Sequence, residues 1–253
     1  MSDFSKISNR TKIIASIAIF SALYTVLRMM QTIPMIGVEG GKFSLSDMLA
    51  PLYGVILGPY VGGFSVILGT FLAIALGRPV SFMFLDFLPA LVNAVALGFL
   101  VRRKWWPVVV LNAALLLAFL LNPLTSLFIT VGSISFPFAW LHIVAFIVLI
   151  SPLGRKAGQW VETLKPTKLT AGLAILAFVG TMMQHLMGNI LTEVVYGHIT
   201  GTMSAEAFGL MWTSVFFVYP WERLVLVILA VLVGTPLVRV LKKSFFRSEK
   251  QPS

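Results

Sequence analysis

Three polar residues, His185, Asn189 and Glu193, stand at i, i+4 and i+8 in an otherwise apolar run, with Gln184 beside them. On a helix that spacing predicts one polar stripe. Polar and ionisable groups are costly in an apolar medium, so the stripe implies an internal polar network or a face turned to a solute. A metal is a third possibility: His185 and Glu193 could act as ligands, but neither His142 nor His198 stands at a spacing that completes a set. Asp86 and Asn93 lie seven residues apart, two helical turns, and are expected to share a face. Asp86 also reads as a cap for a helix whose regular part begins near Leu88, and Asn93 sits deep enough to need a hydrogen-bond partner. Glu39 and Lys42 flank two glycines in a turn, and Asp47 follows Ser46 where an apolar run begins, a good N-cap pattern. The run Tyr219-Pro220-Trp221-Glu222-Arg223 opens another apolar segment. Its adjacent charges must diverge, which lets Glu222 face inward, while Tyr219 and Trp221 suit a membrane interface.

Several kinds of chemistry are missing. The chain has no cysteine, so disulfides, thiolate metal sites and cysteine nucleophiles are excluded. It has no Walker A sequence, no His-Glu-x-x-His, no Gly-x-Ser-x-Gly elbow and no potassium-filter sequence. The acids are scattered rather than paired. An enzyme is therefore not expected and no cofactor is called for; binding and passage of a solute is the better class.

The elements that must position these groups are membrane helices. Of 253 residues, 58% are hydrophobic and 11% charged, with a mean hydropathy of +0.95. Soluble domains carry about 25% charged residues. The composition predicts an all-α, polytopic transmembrane bundle in the cell membrane, one embedded domain over 1–253. Eight segments are apolar enough to be candidates: 12–30, 45–58, 60–77, 82–101, 106–121, 136–151, 169–191 and 221–241. Gly58-Pro59 separates the second from the third and predicts a tight hairpin; Asn122-Pro123 separates the fifth from the sixth. A surface helix near 204–217 is a further expectation. The start of the chain is short and basic, and with no small-x-small cleavage pattern after it, the first apolar run reads as a span.

The net charge of +10 would suggest nucleic acid in a soluble protein, but here the basic residues cluster between apolar runs, as topology determinants do. Clusters at 6–12, 102–104, 155–168 and 239–250 hold fifteen of the nineteen Lys and Arg; the other four are Arg28, Lys42, Arg78 and Arg223. That bias predicts an even number of crossings, six to eight, with both termini cytoplasmic. Small residues at four-residue spacing mark helix contacts: Gly69, Ala73 and Gly77; Ala90, Ala94 and Gly98; Gly180 and Gly188. Ala18 and Ala22 give the opening helix a smooth face on which a partner could dock.

The stretch 43–70 contains Leu45-Ser46-Asp47, Leu57-Gly58-Pro59, Gly62-Gly63 and Gly69 in order. It resembles the second-to-third helix region of substrate-binding S components of energy-coupling factor transporters, and Ala18/Ala22 resembles the alanine face by which such proteins dock. The resemblance covers about 12–101; S components have fewer spans than the eight segments here, so 106–151 reads as an inserted hairpin. It implies capture of a vitamin or similar micronutrient from outside, docking on a transmembrane coupling subunit through Ala18 and Ala22, and two cytoplasmic ATPases to power the cycle. The residues it would place near the solute are Glu39, Lys42, Asp86, Asn93, His185, Asn189, Glu193 and Glu222, with Trp212 or Trp221 stacking on a ring. Two other readings stay open: a stand-alone ion-coupled transporter using His185 and Glu193, and a membrane subunit or embedded enzyme with no transport role.

Overall fold

The computed structural model describes residues 2–34, 36–37, 42–163 and 165–248. Helix α1 (Ser2–Met29) leads into an antiparallel pair, β1 (Gln31–Pro34) and β2 (Lys42–Ser44), with Gln31 opposite Ser44. Helix α2 spans Leu45–Ala75 and is broken at Gly58, which takes φ 80° and ψ 179°. The break has two causes. Pro59 offers no N–H to continue the helix, and it drives the residue before it out of the helical region. A Cβ on Gly62 would strike the backbone of Tyr53 and Gly54, and Ser46 and Thr70 both lie against Tyr24. The two arms of α2 therefore run side by side in opposite directions.

Helices α3 (Leu88–Val101) and α4 (Trp105–Leu120) follow. An antiparallel pair comes next, β3 (Phe128–Val131) with β4 (Ile134–Pro137), in the register Phe128 to Pro137 and Val131 to Ile134. Gly132, at φ 63°, supplies the positive φ that so tight a turn requires. Helix α5 (Trp140–Ile150) meets α6 (Pro152–Glu162) at a bend of 68°. Pro152 opens α6, and the Ser151 hydroxyl caps it by accepting from the Leu153 N–H at 3.2 Å. Helix α7 (Pro166–Thr192) continues as a π-helical stretch, Glu193–Ile199, and α8 (Ala205–Ser248) closes the bundle.

The long apolar helices are α1 from Arg10, α2, α7 with its π stretch, and α8; α5 and α6 make a fifth if the bent pair counts as one span, and α3 and α4 are shorter. Each arm of α2 falls below the roughly 20 residues an isolated span needs. Two features differ from expectation. No separate surface helix occupies 204–217, because α8 runs without interruption from Ala205 through Pro220 and Pro236. Proline is tolerated in membrane helices where neighbours satisfy the freed carbonyls. Helix α6 was not anticipated; its small buried face sets Gly154 against the end of α5, Ala157 against α7 and Gly158 against α3, where a Cβ would strike the Leu100 carbonyl.

Packing follows the small residues. A Cβ on Gly54 would meet the Ala94 carbonyl, one on Gly98 the Pro59 backbone, one on Gly69 Ser21 and Tyr24 of α1, and one on Gly180 Asn93 and Leu97. Thr25 adds a polar tie by donating to the Gly69 carbonyl at 3.1 Å. The arms of α2 thus pack backbone against backbone with each other and with α3, and α7 sets Gly180 against the Asn93 and Leu97 side chains, the close approach that replaces hydrophobic driving force in lipid. Replacing Gly98 by leucine should cost about 1–3 kcal/mol or more through overpacking against an immobile backbone. Gly209→Ala, where a Cβ meets nothing, should hold or gain stability. Thermal unfolding in detergent, followed by tryptophan fluorescence, separates the two; equal melting temperatures would remove the packing argument.

Candidate functional site

The reversal in α2 returns its far arm to the end where the near arm began, so Ser44–Asp47 and the 78–86 loop face each other. Between them, α7 and α8 complete a cavity of about 630 Å3. That is within the usual 300–1,000 Å3 range of small-molecule sites. Most of its wall is apolar, including Phe43, Met48, Phe82, Met211, Trp212, Val215 and Leu226.

Its polar residues are held by the backbone. Asp47 accepts from the Ser44 N–H and hydroxyl, both at 2.9 Å, and its other oxygen accepts from Gln184 at 3.4 Å. Asp86 accepts from the Ser81 N–H at 2.9 Å and the Phe82 N–H at 3.1 Å. These bonds hold a loop in which Met83 and Phe84 take φ of 50° and 69°. Positive φ at non-glycine residues costs roughly 1–3 kcal/mol each, so the loop needs such support. Tyr196 adds to it by donating to the Ser81 carbonyl at 2.6 Å. Arg28 donates to the Asp86 carbonyl at 3.3 Å, and Arg78 donates to the Lys42 carbonyl. Burial first, and then the Arg28 guanidinium, lower the pKa of Arg78 from its ordinary value, with Asp47 and Asp86 opposing. Arg223 pairs with its neighbour Glu222 at 3.2 Å, against the expectation that these adjacent charges diverge, because both long side chains bend to the cavity; its guanidinium lies 5.7 Å from the centre of the Phe43 ring.

One side of the cavity is an aromatic stack. The Tyr219 and His185 rings lie 5.1 Å apart, and both stack on His142, which is itself buried. The two imidazoles share one hydrogen bond, His142 Nε2 to His185 Nδ1 at 3.1 Å. Tyr219 donates to the Phe138 carbonyl at 3.0 Å and Trp212 to the Leu124 carbonyl at 2.9 Å, so both rings are fixed. No cluster of three or more His, Cys, Asp or Glu able to hold a metal occurs among the described residues.

The expected site residues divide three ways. Lys42, Asp86, His185, Asn189 and Glu222 line the cavity. Glu39 lies outside the described residues. Asn93 and Glu193 do not line it. Asn93 is fully buried behind the wall and donates to Gln184 at 2.7 Å. The expectation that it shares a face with Asp86 fails because α3 begins at Leu88, leaving Asp86 in the preceding loop. Glu193 is fully buried and accepts from Thr125 at 2.5 Å. An i+8 residue is rotated by roughly 80° from the first at 3.6 residues per turn. That drift takes Glu193 off the face that His185 and Asn189 present. Asp86 caps backward onto Ser81 and Phe82 rather than forward onto α3.

Four charged lining residues were not picked out as candidates: Arg28, Asp47, Arg78 and Arg223. The signal was present. Arg28, Arg78 and Arg223 are three of the four basic residues outside the basic clusters, and an isolated arginine at the end of an apolar run needs a reason. Of the two tryptophans expected to stack on a ring, Trp212 is buried in the wall and Trp221 is largely exposed at the edge.

Residues 8–153 match the family described as ECF-type riboflavin transporter, S component. The matched span includes the 106–151 segment and ends before α7 and α8. The chain is also similar to an uncharacterized protein of Methanocaldococcus jannaschii, at 29% identity over 161 residues; the alignment covers 62% of this chain and 50% of that protein. The chain thus spans about half the length of that curated relative. No solved structure matches.

Because the chain has no cysteine, single-cysteine variants test the cavity directly. Lys42→Cys and Glu222→Cys are expected to react with a charged, membrane-impermeant thiol reagent. Asn93→Cys and Glu193→Cys are expected to stay unmodified until the protein is unfolded. Rapid labelling at Asn93 would show that the wall behind Gln184 is open.

Proposed function

The chain belongs to the ECF-type riboflavin transporter S component family, and on that premise we propose that it is the substrate-binding subunit of an energy-coupling factor uptake transporter for a vitamin or similar micronutrient. It is a multi-pass membrane protein whose role is capture; a separate transmembrane coupling subunit and two cytoplasmic ATPases supply the movement and the energy. The observation that carries this reading is the cavity of about 630 Å3 at one end of the bundle, walled by apolar and aromatic side chains and supplied with a few fixed polar groups. That is the constitution of a small-molecule site. The family's description names riboflavin, and a flavin is the substrate class we propose. Its flat tricyclic ring suits the planar faces of Tyr219, His185 and Phe82, and its polar edges suit Gln184 and Asn189.

Docking falls to the outer surface of α1. Ala18 and Ala22 are exposed there, with Ala15 one turn before Ala18, while Tyr24 and Thr25 on another face of the helix are buried against α2. A smooth alanine face lets a partner helix approach closely, and a bulky residue prevents it. Mass spectrometry of the tagged chain, gently purified from its native membranes, should recover the coupling subunit and ATPases or a stoichiometric bound micronutrient.

A double Ala18→Trp, Ala22→Trp variant should lose uptake by about tenfold or more, a docking penalty above ~1.4 kcal/mol, while binding solute as the parent does. The paired measurements are uptake in cells carrying the ATPases and equilibrium binding by the purified chain. Normal uptake by the variant would remove α1 as the docking face.

A further inference from the structure

The buried polar atoms around the cavity are unevenly satisfied. Among the described residues that line it, those with a buried side-chain nitrogen left without a partner are Arg28 at Nε, Arg78 at Nη1, Arg223 at Nε and Asn189 at Nδ2. Every one is a donor. The orphaned acceptors, such as Asn93 Oδ1 and Glu193 Oε2, belong to residues that do not line the cavity. The arginines are 7%, 8% and 2% exposed, in that order, so solvent does not serve them. A buried charged donor left unpaired is costly, and a structure retains it only where something completes it.

The nearby carboxylates do not complete the set. Asp47 and Asp86 spend their oxygens on Ser44, Gln184, Ser81 and Phe82. Arg28 and Arg78 are anchored by backbone carbonyls, which fix direction without cancelling charge. Glu222 alone forms an ion pair, with Arg223. Among the described lining residues, Arg28, Lys42, Arg78 and Arg223 stand against Asp47, Asp86 and Glu222. Among the described residues, the cavity therefore holds one more cation than anions and a surplus of donors next to an apolar, aromatic wall.

We propose that the solute is an amphipathic anion: a ring or other apolar body against the Tyr219–His185 wall, with a phosphate or carboxylate received by Arg28, Arg78 and Arg223. The proposal rests on reading the cavity as the S component's solute site and narrows the substrate class within it. Guanidinium groups suit this task because their planar donors match the oxygens of phosphate and carboxylate.

Riboflavin and flavin mononucleotide differ by one phosphate and make the comparison. With the chain in phosphatidylcholine nanodiscs, flavin mononucleotide should bind at least about tenfold tighter than riboflavin, as one charge-assisted contact allows. Arg78→Gln should bring the ratio close to one. Arg78→Lys, which keeps the charge, should retain most of it, so that a folding defect is told apart from a lost anion site. Riboflavin bound as tightly as flavin mononucleotide would overturn the anion proposal and leave the S-component reading standing. Binding of neither flavin would instead count against the flavin reading. Phenyl phosphate against phenol then repeats the comparison on a smaller ring, and the absence of any phosphate-dependent rise in melting temperature would overturn the proposal. Discs containing phosphatidylglycerol separate a soluble anion from a lipid headgroup: loss of the preference in those discs alone would assign the arginines to lipid and overturn it too.

Discussion

No side chain fits where Gly54, Gly58, Gly62 and Gly98 meet. At each, a Cβ would collide with backbone or, at Gly58, with the Arg102 guanidinium. This glycine junction lets α2 double back within the width of a helix pair, and the site depends on the reversal. Were α2 a straight rod of 31 residues, its ends would stand about 45 Å apart at 1.5 Å per residue. Asp47 and Arg78 would then lie on opposite sides of the membrane. Folded at Gly58-Pro59, the same residues deliver the Ser44–Asp47 cap and the 78–86 loop to one end, where α7 and α8 roof them. Short arms follow from the same cause, since a helix hemmed in by neighbours need not cover the hydrocarbon alone.

The second constraint is that lipid offers no partner to a polar group. Every anchor at the site answers it locally. Asp86 ties a loop with two positive-φ residues; Asp47 ties the start of α2 and, through Gln184, reaches Asn93 on α3. These bonds make the wall rigid before any solute arrives, which lowers the ordering cost of binding. The arginines are the exception. Arg28 and Arg78 are fixed in direction by carbonyls and Arg223 by Glu222, yet each keeps an unpaired donor, and rigid unpaired donors in a cavity are what a preorganised anion site consists of.

Much of the fold was legible because membrane helices write their own boundaries. Apolar runs, the Gly-Pro break and the basic clusters gave α1, both arms of α2, α3, α4, α5 and α7 nearly in place, and of α8 only the part after Pro220. Helix α6 was missed because its residues 152–162 are too polar to register as apolar, and its buried face is built of glycine and alanine, which carry little hydropathy. The β3–β4 pair was missed because a span count does not look for strands. At the site, helical spacing failed where a helix was not regular or had not begun: Glu193 drifts off the stripe and opens a π-helical stretch, and Asp86 precedes α3. The arginines were read only as topology marks. A residue counted for its charge on one side of a membrane can also be the residue that faces the solute, and spacing along one helix does not reveal convergence from α1, the 78–86 loop and α8.

That convergence bears on coupling. Helix α1 carries exposed Ala18 and Ala22 on one face and, less than three turns on, places Arg28 at the cavity. The same helix is pinned to the far arm of α2 by Gly69 and Thr25. A contact made on the α1 surface and an anion received at its end therefore act on one rigid rod. A tilt or slide of α1 and the arm of α2 pinned to it would move the Arg28 guanidinium relative to Arg223 on α8. Three donors that converge on one anion tolerate little displacement, because bidentate geometry is narrow. A docking movement of α1 would thus weaken the grip on an anion directly, with no relay through the bundle core. On the roles proposed for α1 and the arginines, the partner that accepts the loaded subunit would also be the lever that releases its solute.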